Sequence, residues 1–200
     1  MYEYEIDFDK IIGTGNNGEI YETNENFLTK HPVSEKEIKI SKKLSNIIGP
    51  NIVKIIKTKT FNETKKISLN NKEIKLKGNF MIMEKLNGLD LNDYIQEEGV
   101  FIEDDDYWVK DLVMKIKKMH ELGYHHNDLT ASNVFIIYNK VNKVIGVRII
   151  DFGETKSITK KGKIDDYKTL LQSIETFGFY LQDILQPLIF ALDEELEKLI

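Results

Sequence analysis

His126-Asn127-Asp128-Leu129-Thr130-Ala131-Ser132-Asn133 is followed further along the chain by Asp151-Phe152-Gly153. The first stretch carries the pattern HxDxxxxN. In a chain with 4 His and this share of Asp and Asn, the pattern arises by chance about 0.02 times, and a nearby Asp-Phe-Gly multiplies that by about 0.004. Loop carboxylates and amides at this spacing have no packing reason to be there. Their oxygens suit a hard divalent cation, and an ionised aspartate can accept a proton from a hydroxyl.

Upstream of these residues the pattern is extended. Residues 4 to 12 alternate, Gly13-x-Gly15-x-x-Gly18 interrupts, and Glu19-Ile20-Tyr21-Glu22 alternates again, which predicts strand, glycine turn, strand. A dinucleotide-binding turn needs a helix to start inside the glycines, and here a second strand follows, so that geometry is excluded. A third strand, Asn26 to Lys30, is expected to end before Pro32. Ser34 with Glu37 reads as a capping box opening a helix that runs through Ile40, Leu44 and Ile48 to Gly49-Pro50. Its helical spacing places Glu37, Ser41, Leu44 and Ile48 on one face. Residues 52 to 86 predict more antiparallel sheet, with turns at Asn62-Glu63-Thr64 and Asn70-Asn71 and a last strand Phe80-Met81-Ile82-Met83. Lysines from Lys54 to Lys77 read as the solvated face of that sheet rather than a nucleic-acid patch.

From residue 90 the period becomes helical. A short helix is expected near Leu91 to Ile95 and a long one from about Asp104 to Leu122. Asp104-Asp105-Asp106 suits the first turn of the long helix, and Lys115, Lys117 and Lys118 suit its C-terminal half. Short strands follow around Val134 to Ile137 and Val147 to Ile150, then helical sequence from about 164, broken near Pro187. Lys160-Lys161-Gly162-Lys163 reads as an exposed turn. The class is therefore α+β, sheet first and helices after.

Composition bounds the rest. The 200 residues suit one domain or two coupled lobes, and 41% hydrophobic residues supply a core. A formal net charge of −5 gives no overall attraction to nucleic acid or to an anionic membrane. With Cys 0, disulfides, thiolate zinc sites and a thiol nucleophile are excluded, and an intracellular setting fits. Met1-Tyr2-Glu3-Tyr4-Glu5 lacks the basic and apolar regions of a signal peptide, and no apolar run reaches spanning length. The expectation is a cytoplasmic protein with no membrane association, acting in a host cytoplasm if it is viral or a secreted effector.

The quoted residues resemble the eukaryotic-like protein kinase superfamily, in the family's order, from about residue 8 to residue 175. The resemblance implies an antiparallel-sheet N-lobe, residues 1 to 86, and a truncated, mainly helical C-lobe, residues 87 to 200, with ATP and Mg²⁺ in the cleft. It implies that Gly13, Gly15 and Gly18 cover the phosphates and that Lys30 is the phosphate-binding lysine with Glu37 as its helix partner. Met83-Glu84-Lys85-Leu86 looks like gatekeeper and hinge, with Glu84 and Leu86 beside the nucleotide. Asp128 would be the catalytic aspartate, Asn133 and Asp151 the metal ligands, Asp166 the brace of the catalytic loop, and Asp90 a ribose candidate. His126 would pack against the Phe of Asp-Phe-Gly, which weighs against a metal site at His120, His125 and His126.

Departures from the family narrow the expectation. Asn127 stands where kinases carry Arg, so control by a phosphorylated activation loop is not expected. Thr130 replaces the lysine of serine/threonine kinases, and Ser41 replaces a bulky apolar residue. The fifteen residues from Asp151 to Asp166 leave no room for a full activation segment. Such a chain resembles minimal kinases, among them the KEOPS-complex kinase and viral and bacterial-effector types. The expected activity is transfer of the γ-phosphate to Ser/Thr hydroxyls of a protein substrate, with an activating protein partner left open and no direct nucleic acid. A KEOPS-type partner-dependent ATPase, a small-molecule phosphotransferase and a non-catalytic scaffold stay as alternatives.

Overall fold

The computed structural model describes residues 7–15, 18–56, 64–69, 72–96, 107–176 and 182–200. The chain divides into two compact units, one of residues 1–46 and 50–86 and one of residues 47–49 and 87–200. Asn16 and Asn17 of the glycine turn, the turn residues Asn62 and Glu63, Asp104-Asp105-Asp106 and the lysine side chains from Lys54 to Lys77 lie outside the described residues.

In the first unit the alternating sequence forms β1 (Asp7–Gly15), β2 (Gly18–Asn24) and β3 (Phe27–Val33), antiparallel neighbours in that order. β3 continues through Pro32 to Val33, further than the sequence pattern predicts. The proline is tolerated because the pairing register shifts between Lys30 and Val33, so no ladder donor is required of it there. Helix α1 (Glu35–Leu44) starts at Ser34, whose Oγ accepts the Glu37 N–H at 3.1 Å. It stops at Leu44 rather than at Ile48, because Asn46 turns left-handed at φ 64°. Ile48 is still buried, but off the helix, where its carbonyl accepts from the Ile149 N–H. β4 (Ile52–Ile56), β5 (Thr64–Leu69), β6 (Lys72–Lys77) and β7 (Asn79–Glu84) follow. The main sheet has the order β1-β2-β3-β7-β4, and β5 with β6 forms a separate hairpin. Val33, Ile38 and Met81 centre its core, with Ile52, Ile55 and Met83 packed against them.

The second unit runs β8 (Gly88–Asp90), α2 (Leu91–Gln96), α3 (Tyr107–Glu121), β9 (Tyr124–His125), β10 (Val134–Tyr138), β11 (Val144–Ile149), β12 (Lys156–Ser157), α4 (Lys160–Glu175) and α5 (Gln182–Glu197). Trp108, Leu112, Ile116 and Met119 recur at helical spacing on α3 and are all buried, which sets the face turned inward. α3 packs on β11 and on α5, and α4 packs on α5. Two sequence expectations fail here. Lys160-Lys161-Gly162-Lys163 is the first turn of α4 and not a loop, because Thr159 caps it, its Oγ1 accepting the Gly162 N–H at 2.9 Å. Pro187 lies inside α5 without ending it. It sits early in the helix, so the only intrahelical bond it removes is to the carbonyl of residue 183, in the first turn. No described helix is long and apolar enough to cross a membrane.

Lys115, which the sequence reading assigns to the helix dipole, is buried instead. Its Nζ donates to Asp111 Oδ2 at 2.6 Å and to the Val147 carbonyl at 2.8 Å, and the Val147 N–H donates to the same Asp111 oxygen at 2.9 Å. One i,i+4 pair thereby closes both backbone groups of a β11 residue. Burial pulls the Lys115 pKa down, opposed by the Asp111 carboxylate. Removing one partner leaves the other charge unpaired in the interior, at a cost of about 3–5 kcal/mol, whereas removing both with apolar side chains avoids that penalty. Asp111→Ala is therefore expected to lose more stability in urea denaturation than the double variant Asp111→Leu/Lys115→Met.

Candidate active site

Within the second unit, the carboxylate of Asp166 organises the loop that precedes Asp128. Asp166 is 1% exposed. Its Oδ2 accepts the His126 N–H at 2.9 Å and its Oδ1 accepts the Asn127 N–H at 2.9 Å. His120 Nε2 lies 2.9 Å from Oδ2, and since a carboxylate only accepts, Nε2 carries the proton. These bonds hold Asn127 at φ 67°, a left-handed conformation that Asn tolerates better than most residues. Asp128 follows with its side chain exposed.

Asn133 is turned toward Asp128. Its Nδ2 donates to the Asp128 carbonyl at 2.8 Å and to Asp128 Oδ2 at 3.2 Å. With the amide nitrogen committed, the amide oxygen is the group Asn133 can offer a cation. The turn between them is closed by the Thr130 N–H on the Asp128 carbonyl and the Asn133 N–H on the Thr130 carbonyl. From below, Ser173 of α4 accepts the Ala131 N–H at 2.9 Å. The Ile150 N–H donates to the Asn133 carbonyl at 2.9 Å, which brings the residue before Asp151 to the end of this turn.

Asp151 is exposed and left-handed at φ 56°. Its Oδ1 accepts the Gly153 N–H at 3.2 Å, capping the short turn Phe152–Glu154. Phe152 is buried, its ring centroid 5.6 Å from that of His126, and Gly49 presses close enough to it that a Cβ would lie 2.6 Å from the ring. His126 Nε2 is 2.9 Å from the Ile150 carbonyl, so it is the protonated nitrogen. Burial pushes the His126 pKa down, against the pull of that carbonyl bond. His120, His125 and His126 thus have separate surroundings: Asp166, the Gly162 backbone and the Ile150 carbonyl.

Two further links escaped the sequence reading. Lys156 Nζ donates to Asn127 Oδ1 at 3.1 Å, and β12 pairs with β9 at Lys156↔His125 and Ser157↔Tyr124. The short segment after Asp151 is therefore tied to the same loop that carries Asp128. Neither link has a local signature, since each joins residues distant in sequence. Asp90, named as a ribose candidate, accepts the Asp93 N–H at 2.9 Å and so caps α2, while burial raises its pKa.

In the first unit, Lys30 and Glu37 meet. Lys30 Nζ to Glu37 Oε1 is 2.6 Å, with the two side chains 4% and 2% exposed. β3 places Lys30 between Ile20 and Met81, and α1 places Glu37 on its buried face. Of the two sequence readings of Glu37, its carboxylate meets the lysine, and its backbone N–H donates to Ser34 Oγ, which is the Ser34 half of the capping box. Ser41, one turn on, is buried with its Oγ unpartnered. Glu84 Oε1 accepts the Asn51 N–H at 2.9 Å, and the Lys85 N–H donates to the Asn26 carbonyl at 2.8 Å, so this stretch is held on both sides. Leu86 is half-buried. Lys10 and Lys85 both pair with Glu22, pulling its carboxyl down to about 2. Gly15 pairs with Gly18 across the turn. Gly18, at φ 131°, is required by the sheet itself, because a Cβ there would lie 2.5 Å from the Pro32 carbonyl oxygen. Gly13 is under no such constraint, with only Ile20 at 3.6 Å or beyond.

The protein kinase domain family matches residues 6–177, and the chain belongs to that family. A protein kinase C delta type homolog of Drosophila melanogaster is 37% identical over 78 residues, which is 38% of this chain and 11% of that protein. The crystal structure of Rad53 1-466 in complex with AMP-PNP resembles it with a TM-score of 0.53 at 22% identity, covering 75% of this chain and 39% of that one. The chain thus spans well under half the length of these relatives.

If the Asp166 carboxylate holds the loop, Asp166→Asn puts an amide donor against backbone donors and strands a buried N–H, which costs about 1–3 kcal/mol. The expected outcome is a matching loss in denaturant stability together with faster hydrogen exchange at the His126 and Asn127 amides.

Proposed function

We propose that the chain is a protein kinase that uses Mg²⁺ and transfers the γ-phosphoryl group of ATP to a serine or threonine hydroxyl of a protein substrate. The observation that carries this reading is the Asp128–Asn133 pair, an exposed carboxylate beside an amide whose nitrogen is spent. The AMP-PNP complex of Rad53 supports ATP as the donor, and the protein kinase C delta type relative supports a Ser/Thr acceptor.

Asp128 accepts the proton of the acceptor hydroxyl as that oxygen bonds to the γ-phosphorus and the bond to the departing ADP oxygen breaks. Asn133 Oδ1 and the Asp151 carboxylate form an oxygen-only donor set of two side chains. Such a set fits Mg²⁺, which keeps most of its shell for water and phosphate oxygens. When bound there, the ion neutralises charge on the phosphates. Lys30 supplies a fixed cation for phosphate oxygens, held in place by Glu37. Gly13, Gly15 and Gly18 present backbone N–H groups to phosphate, and the chain at Glu84 and Leu86 presents backbone to the adenine.

The test is transfer of labelled γ-phosphate from Mg-ATP to the protein itself and to a generic acceptor protein. Asp128→Ala is expected to lower the rate by about 10²–10⁴-fold while leaving nucleotide binding in place. Asp151→Ala is expected to abolish metal-dependent nucleotide binding and transfer alike. ATP binding that needs Asp151, without transfer by the wild type, would replace this reading with a partner-dependent ATPase. No nucleotide binding at all would leave a scaffold.

A further inference from the structure

The segment from Thr155 to Ile164 contains Lys156, Lys160, Lys161 and Lys163 and no acidic residue, in a chain whose formal net charge is −5. Lys156, Lys160 and Lys161 are exposed and Lys163 is half-buried. None of the four has an acidic partner among the described residues. Three of them occupy the first turn of α4, a helix of 16 residues with no acidic residue in that turn. This is the end of a helix at which its dipole disfavours cations. Three ammonium groups at the unfavourable end of a helix do nothing for the stability of that helix, and Lys156, just before them in sequence, donates to Asn127.

A second observation comes from the interior. His125 is 6% exposed and its Nδ1 has no hydrogen-bond partner. Its ring lies against the same first turn, where a Cβ on Gly162 would fall 2.4 Å from Nδ1, 2.5 Å from Cγ and 2.6 Å from Cε1. A buried, unpaired polar group therefore backs the turn on which the lysines stand.

The patch is also continuous with the candidate catalytic loop. Lys156 Nζ is 3.1 Å from the side chain of Asn127, the residue before Asp128, and its backbone pairs with His125. Consecutive Cα atoms are about 3.8 Å apart, so Lys156 stands within a few residues' reach of the carboxylate that would take the acceptor proton.

We infer that Lys156, Lys160 and Lys161 select the substrate, by binding an anionic side chain carried within about three or four positions of the acceptor hydroxyl on an extended peptide. The anion is a carboxylate or a phosphate, since both satisfy ammonium groups and the open N–H groups of a helix start. The inference rests on the protein kinase reading and adds its substrate class.

The experiment compares three serine peptides of one scaffold, with neutral, Asp/Glu or phosphoserine flanks, in steady-state phosphorylation and in fluorescence-anisotropy binding. The protein is the full chain and its Lys160→Glu/Lys161→Glu variant, both positions being exposed. The wild type is expected to show a KM for one of the anionic peptides about tenfold below that for the neutral one. The variant should abolish that difference while its kcat on the neutral peptide stays within about twofold, as rim charges act on encounter rather than chemistry. The advantage should also shrink as salt is raised, because exposed charges are screened. Which anionic peptide gains more tells carboxylate from phosphate.

Equal KM values for all three peptides would overturn the inference, as would an acidic preference that survives the double substitution. If the wild type transfers phosphate to nothing, the kinase reading fails, and the anisotropy arm still decides the patch. Anionic-peptide binding lost in the variant supports it, and binding unchanged in the variant overturns it. A labelled single-stranded RNA bound more tightly than any of the peptides, and released by the same variant, would overturn it in favour of nucleic acid.

Discussion

Asp166 accepts two backbone N–H groups and an imidazole N–H on one buried carboxylate, and the geometry of the second unit's loop follows from it. A carboxylate placed 1% exposed is tolerable only if donors surround it, because an isolated buried charge is expensive. The donors available are the amides of His126 and Asn127, and bonding them forces the chain through a left-handed residue at Asn127. Once those amides are fixed, Asp128 projects outward, Asn133 folds back on it, and the Ile150 N–H on the Asn133 carbonyl delivers Asp151. A helix residue, Asp166, thus positions a loop some forty residues earlier. α4 contributes again through Ser173, whose hydroxyl accepts the Ala131 N–H and donates to the Leu170 carbonyl.

In the first unit the comparable constraint is the pair Lys30 and Glu37, almost wholly removed from solvent. Such a pair adds little net stability, because desolvation offsets attraction. Its presence dictates placement instead. β3 must run in register with β2 and β7 to bring Lys30 inward, and α1 must begin at Ser34 for Glu37 to fall on its inner face. The closeness of Gly18 to the Pro32 carbonyl keeps β2 tight against β3. One glycine of the triplet therefore serves the sheet, a role that phosphate chemistry alone would not suggest.

Much of this was readable from the sequence wherever a residue's role depends on its neighbours in the chain. Strand alternation, the Ser34 cap, the HxDxxxxN spacing and Asp-Phe-Gly are local signals, and the structure folds Asn133 back onto Asp128 with the residue before Asp151 bonded to the end of the same turn. Interactions between distant segments were not readable. Lys115 looked like a dipole-complementing surface lysine, and only the arrival of Val147 on β11 makes it a buried cation. The run Lys160 to Lys163 looked like a loop because four polar or flexible residues carry no helical period. Its helical state comes from the Thr159 cap and from His125 lying against Gly162. Asp90 was a ribose candidate through the resemblance alone, and the Asp93 N–H it accepts gives it a capping role on α2 that the resemblance did not imply.

The segment between Asp151 and α4 shows how so short a stretch stays ordered. Each step along it is held by something in the same unit: the Gly153 N–H by Asp151, β12 by β9, the Ile158 N–H by the Gly123 carbonyl, and the first turn of α4 by Thr159. A longer segment would cost more conformational entropy to fix and would need an added charge to fix it. Among the described residues the side-chain cation that reaches the loop is Lys156, and what it meets is the neutral amide of Asn127. Arginine at that position would set two cations against each other, so the asparagine and the lysine are intelligible as a pair. Lys160 and Lys161, further along the segment, are exposed and have no acidic partner among the described residues, so their charge is left to solvent.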